Sequence, residues 1–120
     1  MVKIFLKKNE DKRIKLGHLW VFSNEIAKTE GEADNGDICA LYDAAGTKLG
    51  EGFYNKNSLI SLRLLDKSYD GDFVIYARKM ILDALELRRT FYPDRNSYRL
   101  IFSESDFMPG LIVDKFNNTY

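Results

Sequence analysis

The chain has 120 residues, 45% of them hydrophobic and 30% charged, and its 18 basic and 18 acidic side chains leave no net charge. This excludes a disordered tail, and no apolar run approaches the roughly 20 residues that span a bilayer. The single cysteine, Cys39, excludes an internal disulfide and makes a reducing cytoplasm the default setting.

Val2, Ile4 and Leu6 alternate with Lys3, Phe5 and Lys7, which predicts a first strand. Lys12 to Lys15 reads as an exposed turn or short helix, and residues 17–23 (GHLWVFS) as a helix end running into an aromatic strand. Trp20 and Phe22 alternate with Val21 along this apolar stretch, so both are expected in the core. Residues 31–36 are polar and glycine-punctuated, hence a loop. Residues 37–43 predict a strand apolar on both faces, as in a small closed barrel. A tight turn at 44–47 leads to strands at 49–54 and 58–65, separated by Asn55, Lys56 and Asn57.

The period then lengthens. Phe73, Ala77, Met80, Ala84, Leu87 and Phe91 form one stripe of an amphipathic helix, broadened by Ile81 and Leu85. Asp72 is its expected N-cap, Arg88 and Arg89 suit the negative end of the helix dipole, and Pro93 stops it. Lys79 and Asp83 are spaced to pair across one turn. Strands at 98–102 and 111–116 flank a turn-rich connection. The fold class is therefore α+β: a strand-rich first part, an amphipathic helix, then a β-hairpin.

Charge is unevenly spread. Residues 1–15 carry six basic side chains against two acidic ones, and residues 25–43 carry six acidic against one basic. Such polarity can orient a polyanion on one face. Lys12, Arg13 and Lys15, followed by Gly17 and His18, form the best binding constellation. Cations neutralise phosphates, glycine lets a backbone approach closely, and a ring can stack on an unpaired base. The alternative for His18 is a turn or core histidine making one backbone hydrogen bond. Arg63 is a second phosphate candidate, with a rim ion pair as its alternative. Glu104 and Asp106 are spaced to share a proton or hold a base, or else to satisfy backbone groups in a turn. His18 and Cys39 lie in different segments and make no metal set, and Cys39 reads as a small buried hydrophobe. Gly46, Gly50 and Gly52 lack the strand–loop–helix setting of a phosphate-binding loop.

Three segments together resemble the bacterial large-subunit ribosomal RNA methyltransferase I family. Residues 17–23 (GHLWVFS) are similar to its G-H-P-W-V-F-S segment, and residues 52–63 (GFYNKNSLISLR) to its G-x-Y-N-P-x-S-x-I-x-x-R stretch. Residues 98–101 (YRLI) and 104–114 (ESDFMPGLIVD) resemble its Y-R-L…E-S/A-D-x-L-P-G-L-x-V-D signature. The resemblance implies a PUA domain, an RNA-binding β pseudo-barrel, at residues 1–66. It further implies a linking helix region at 67–96 and the opening hairpin of a central α/β (EEHEE) domain at 97–120. The family's third domain binds S-adenosylmethionine and methylates carbon 5 of a cytosine in 23S ribosomal RNA. None of that domain is expected among these residues, so no cofactor is expected to bind here and Cys39 inherits no nucleophile's role.

On this reading Lys12, Arg13, Lys15, Gly17, His18 and Arg63 contact structured RNA, and Glu104 and Asp106 face the active site. A stand-alone RNA-binding regulator and a protein-interaction module are the alternatives. The hairpin needs a cover for its apolar residues, from the helix or from pairing of its open edge with a second copy. A homodimer through that edge is the expectation.

Overall fold

Ile4 and Leu6 are buried and Lys3 is exposed along the first strand, and this alternation sets the first half of the fold. In the computed structural model, which describes residues 1–120, the chain divides into two units, Met1–Lys67 and Ser68–Tyr120. The first holds β1 (Lys3–Leu6), α1 (Lys12–Lys15), β2 (Trp20–Phe22), β3 (Ile26–Glu30), β4 (Ile38–Tyr42), β5 (Lys48–Tyr54) and β6 (Ile60–Leu64). The strands make one six-stranded sheet in the order β2-β6-β5-β4-β1-β3, curled into a half-barrel. Its ladders are antiparallel except β1–β4, which is parallel with Ile4 opposite Leu41. The outer strands β2 and β3 do not pair with each other, so the barrel stays open.

The core of this unit gathers Ile4, Leu6, Val21, Cys39, Leu41, Leu62 and Leu64. Each large side chain withdrawn from water there contributes about 1.5–3 kcal/mol. Cys39, Ala40 and Leu41 are buried in succession, as a strand covered on both faces requires. Gly52 sits where β5 crosses β6: a Cβ there would lie 2.3 Å from the Arg63 carbonyl oxygen, so no larger residue fits. The sequence pattern carries no sign of β3. After Ile26 its side chains are all exposed, and it is held by backbone pairing to β1, with Lys3 opposite Glu30.

The second unit opens with α2 (Phe73–Phe91), at the bounds its periodicity predicts. The Asp72 carboxylate accepts from the N–H groups of Val74 and Ile75, a side-chain N-cap. Lys79 and Asp83 pair at 3.8 Å. The buried ridge is Tyr76, Met80 and Ala84, which is narrower than the expected stripe and adds Tyr76 to it. Phe91 and Leu87 stay in solvent. Antiparallel β7 (Ser97–Phe102) and β8 (Ile112–Phe116) follow, joined through a 3-10 turn at Ser103–Asp106. A bulge between Arg99 and Ile101 turns two successive residues, Leu100 and Ile101, inward.

The helix itself covers one face of this hairpin. The Tyr76 hydroxyl donates to the Phe107 carbonyl at 2.6 Å, and the Arg88 Nε donates to the Arg99 carbonyl at 3.0 Å. Fold-back on the helix, one of the two expected covers, thus buries Leu100 and Ile101, while Phe102 stays exposed. Ile112 and Phe116 on β8 remain exposed.

Candidate nucleic-acid interface

Alternation along β2 decides which aromatic side chains reach the surface. Val21 is fully buried, so its neighbours Trp20 and Phe22 face outward; Trp20 is 39% exposed and Phe22 half-buried. This corrects the expectation that both rings lie in the core. The physical reason is that β2 is an edge strand, paired only to β6, and its outer face is not packed by another layer of the sheet. In register, Trp20 lies opposite Arg63, and Arg63 lies opposite Phe53 on the next strand.

The cations come to these rings. The Arg63 guanidinium stands 5.7 Å from the Trp20 ring centre, and the Arg13 guanidinium 5.2 Å from that of Phe22. The two rings meet edge to face at 6.5 Å. Arginine stacked on an aromatic face keeps donors available while its planar group is held in place. The result is a continuous strip of two arginines and two aromatic rings on the outer face of β2–β6.

A buried acid fixes one end of this strip. Glu25, only 5% exposed, accepts from the Phe22 backbone N–H at 3.0 Å and from the Arg13 guanidinium. It belongs to a 3-10 turn at Ser23–Glu25 and reaches back three residues, as a capping-box glutamate does. Sequence reasoning missed Glu25 and counted it with the acidic middle of the chain. Its signal was the three-residue spacing to the end of the aromatic strand. Asp43 is likewise structural: its carboxylate accepts from the N–H groups of Ala45 and Thr47 and closes their turn.

The other candidates differ in availability. Lys12 is exposed and makes no ion pair. Lys15 is held at 2.5 Å by Asp11 and lies 3.9 Å from Asp43. That contact lowers the Asp11 carboxyl and raises the Lys15 ammonium from their ordinary values. Gly17 takes φ +102°, a left-handed turn that L side chains rarely adopt, and the space beside it is open. His18 is exposed, with its backbone N–H donating to the Arg13 carbonyl at 3.1 Å.

In the second unit Glu104 and Asp106 have separate partners. Asp106 is buried, and its carboxylate accepts from the Arg88 guanidinium at 2.7 and 3.3 Å and from the Phe102 N–H at 2.8 Å. Glu104 accepts from the Ser103 hydroxyl. Asp106 thus ties helix to hairpin. Arg88, placed at the helix end for its dipole, is the other half of that tie.

The open six-stranded sheet and its basic, aromatic edge define the class: the chain belongs to the PUA-like domain family, which it matches over residues 4–67. It is homologous to the amino-terminal region of ribosomal RNA large subunit methyltransferase I. The Alteromonas mediterranea protein is 35% identical over 97% of this chain, and an Escherichia coli protein 34% identical over 98%. The chain spans 30% of the length of each of these relatives. A solved SAM-dependent methyltransferase from Streptococcus mutans superposes with a TM-score of 0.79 at 22% identity, over 98% of this chain and 31% of its own. A methyltransferase solved in complex with SAH does so at 0.80 and 21%, over 98% and 30%. No helix is long and apolar enough to cross a membrane.

Proposed function

We propose that the unit Met1–Lys67 binds structured ribosomal RNA. On this reading the chain is the RNA-capturing part of an S-adenosylmethionine-dependent methyltransferase that acts in the cytoplasm on carbon 5 of a cytosine in 23S ribosomal RNA. Lys12, Arg13, Lys15 and Arg63 contact phosphates, Gly17 admits the backbone closely, and His18 and Trp20 offer ring faces. The cofactor and the methyl transfer belong to the rest of such an enzyme, and these residues hold and orient the substrate.

One observation carries this reading: the strip of Arg13, Phe22, Trp20 and Arg63 on the edge of the sheet. Guanidinium groups that pair with phosphate, beside flat faces that stack on bases, are what RNA presents a use for. Binding of a labelled 23S ribosomal RNA fragment, measured across a salt series, tests it. Replacing Lys12, Arg13 and Arg63 by alanine together should lower the slope of log K against log salt by about 2 to 3. Trp20→Ala should weaken binding roughly 5- to 100-fold. An unchanged slope in a folded triple variant would place the RNA elsewhere.

A further inference from the structure

The second unit carries its own concentration of basic and aromatic side chains, which the reading above does not use. Between Arg88 and Arg99 the chain holds four arginines against one acid, Asp94. The last turns of α2 and the start of β7 enclose an open cleft of 420 Å³, within the roughly 300–1,000 Å³ typical of ligand sites. Its walls include Phe91, Tyr92, Arg95, Tyr98, Arg99 and Phe102.

We propose that this cleft is a second RNA-contacting site, taking an unpaired stretch of nucleotides; it rests on the reading that the protein binds RNA. The arginines there have two distinct conditions. Arg88 and Arg99 are anchored, by Asp106 and by Asp114 at 2.7 Å, and so shape the wall. Arg95 has no acidic partner and lies 5.2 Å over the exposed Tyr92 ring, and Arg89 is exposed on the neighbouring helical turn. Arg99 stands 5.4 Å over Phe102. The cleft therefore offers one uncompensated cation, Arg95, beside ring faces for bases, and Arg89 is exposed on the same helix outside its walls.

Charge selects this occupant over a second copy of the chain. A two-fold pairing of the cleft with itself would bring the unpaired Arg95 against its own counterpart, and like charges across an interface are costly. A polyanion gains from the same cation by releasing its counterions.

The experiment uses the full 120-residue chain, a labelled single-stranded ribosomal RNA oligonucleotide and a potassium chloride series. Replacing Arg89 and Arg95 by alanine should lower the salt slope by about 0.7 to 1.4. Tyr92→Ala should weaken binding roughly 5- to 100-fold, independently of the Trp20→Ala loss. Should Tyr92→Ala fail to fold, the exposed Arg95→Glu carries the test with a larger loss of affinity. If the wild type binds and Arg13 and Arg63 variants weaken it, while folded cleft variants leave slope and affinity unchanged, the cleft site is overturned and the barrel reading stands. If the wild type binds no RNA, both are overturned. Concentration-dependent dimerisation that Arg95→Glu abolishes, with RNA affinity intact, would assign the cleft to self-association and overturn the proposal.

Discussion

Glu25 shows how much one buried carboxylate can organise. It satisfies a backbone N–H at the end of β2 and holds Arg13 where that guanidinium reaches the Phe22 ring. Glu25→Ala leaves the Phe22 N–H without its partner, so the expected loss is about 1–3 kcal/mol in urea denaturation. Glu25→Gln, which keeps an acceptor for that N–H, should lose less. Cys39 gives a second residue-scale expectation. Burial pushes its thiol above the ordinary range, so the unfolded chain releases that proton at lower pH than the folded one. The stability contributed by a neutral buried thiol is intact below the ordinary thiol value and declines as pH rises past it. Denaturation midpoints should therefore fall less steeply between about pH 8 and 10 in Cys39→Ala than in the wild type. Equal slopes would show that the thiol does not titrate differently on folding.

At the scale of elements, the tie between α2 and the hairpin rests on Arg88 and Asp106, whose side chains are 15% and 4% exposed. Arg88→Ala leaves a buried carboxylate with only the Phe102 N–H, and the expected cost to this unit is about 3–5 kcal/mol. Arg88→Met with Asp106→Leu should recover part of it, as a thermal melt of the pair against each single variant would read. The same elements show what a sequence discloses. Strong periodicity, a capping aspartate and a following proline made α2 legible to its bounds. β3 was not legible, because its side chains face solvent and a backbone ladder leaves no mark on composition. An apolar run such as Trp20–Phe22 does not say which of its two alternating faces is covered; only the edge position of β2 settles that. Arg13 and Arg63 are candidates from charge alone; the Trp20 partner of Arg63 comes from the cross-strand register, and the Phe22 partner of Arg13 from the packing of α1 against β2.

For the molecule as a whole, the first unit contains a complete hydrophobic core drawn only from its own residues. Residues 1–67 expressed alone should fold, with a cooperative Trp20 fluorescence transition and a Cys39 thiol slow to react until that transition. A non-cooperative change in fluorescence, with the thiol reactive from the start, would show that the unit depends on the remaining residues. A 67-residue unit of this kind buries a modest core, so its stability should be a few kcal/mol rather than tens. If both proposed surfaces engage one RNA, its affinity should fall with salt more steeply than either surface alone would account for.

The parallel pairing of β1 with β4 bears on the order in which the fold is completed. β1 lies between β3 and β4 in the sheet, although it is the first strand in the chain. As the polypeptide leaves the ribosome, Lys3 to Phe5 emerge well before their partners Ala40 to Tyr42. β4, β5 and β6 can zip together through short connections, while β1 needs a distant closure. An interior strand is thus supplied by residues 3–6. Trimming even a few leading residues would not fray an edge; it would split the sheet and leave β3 without its neighbour.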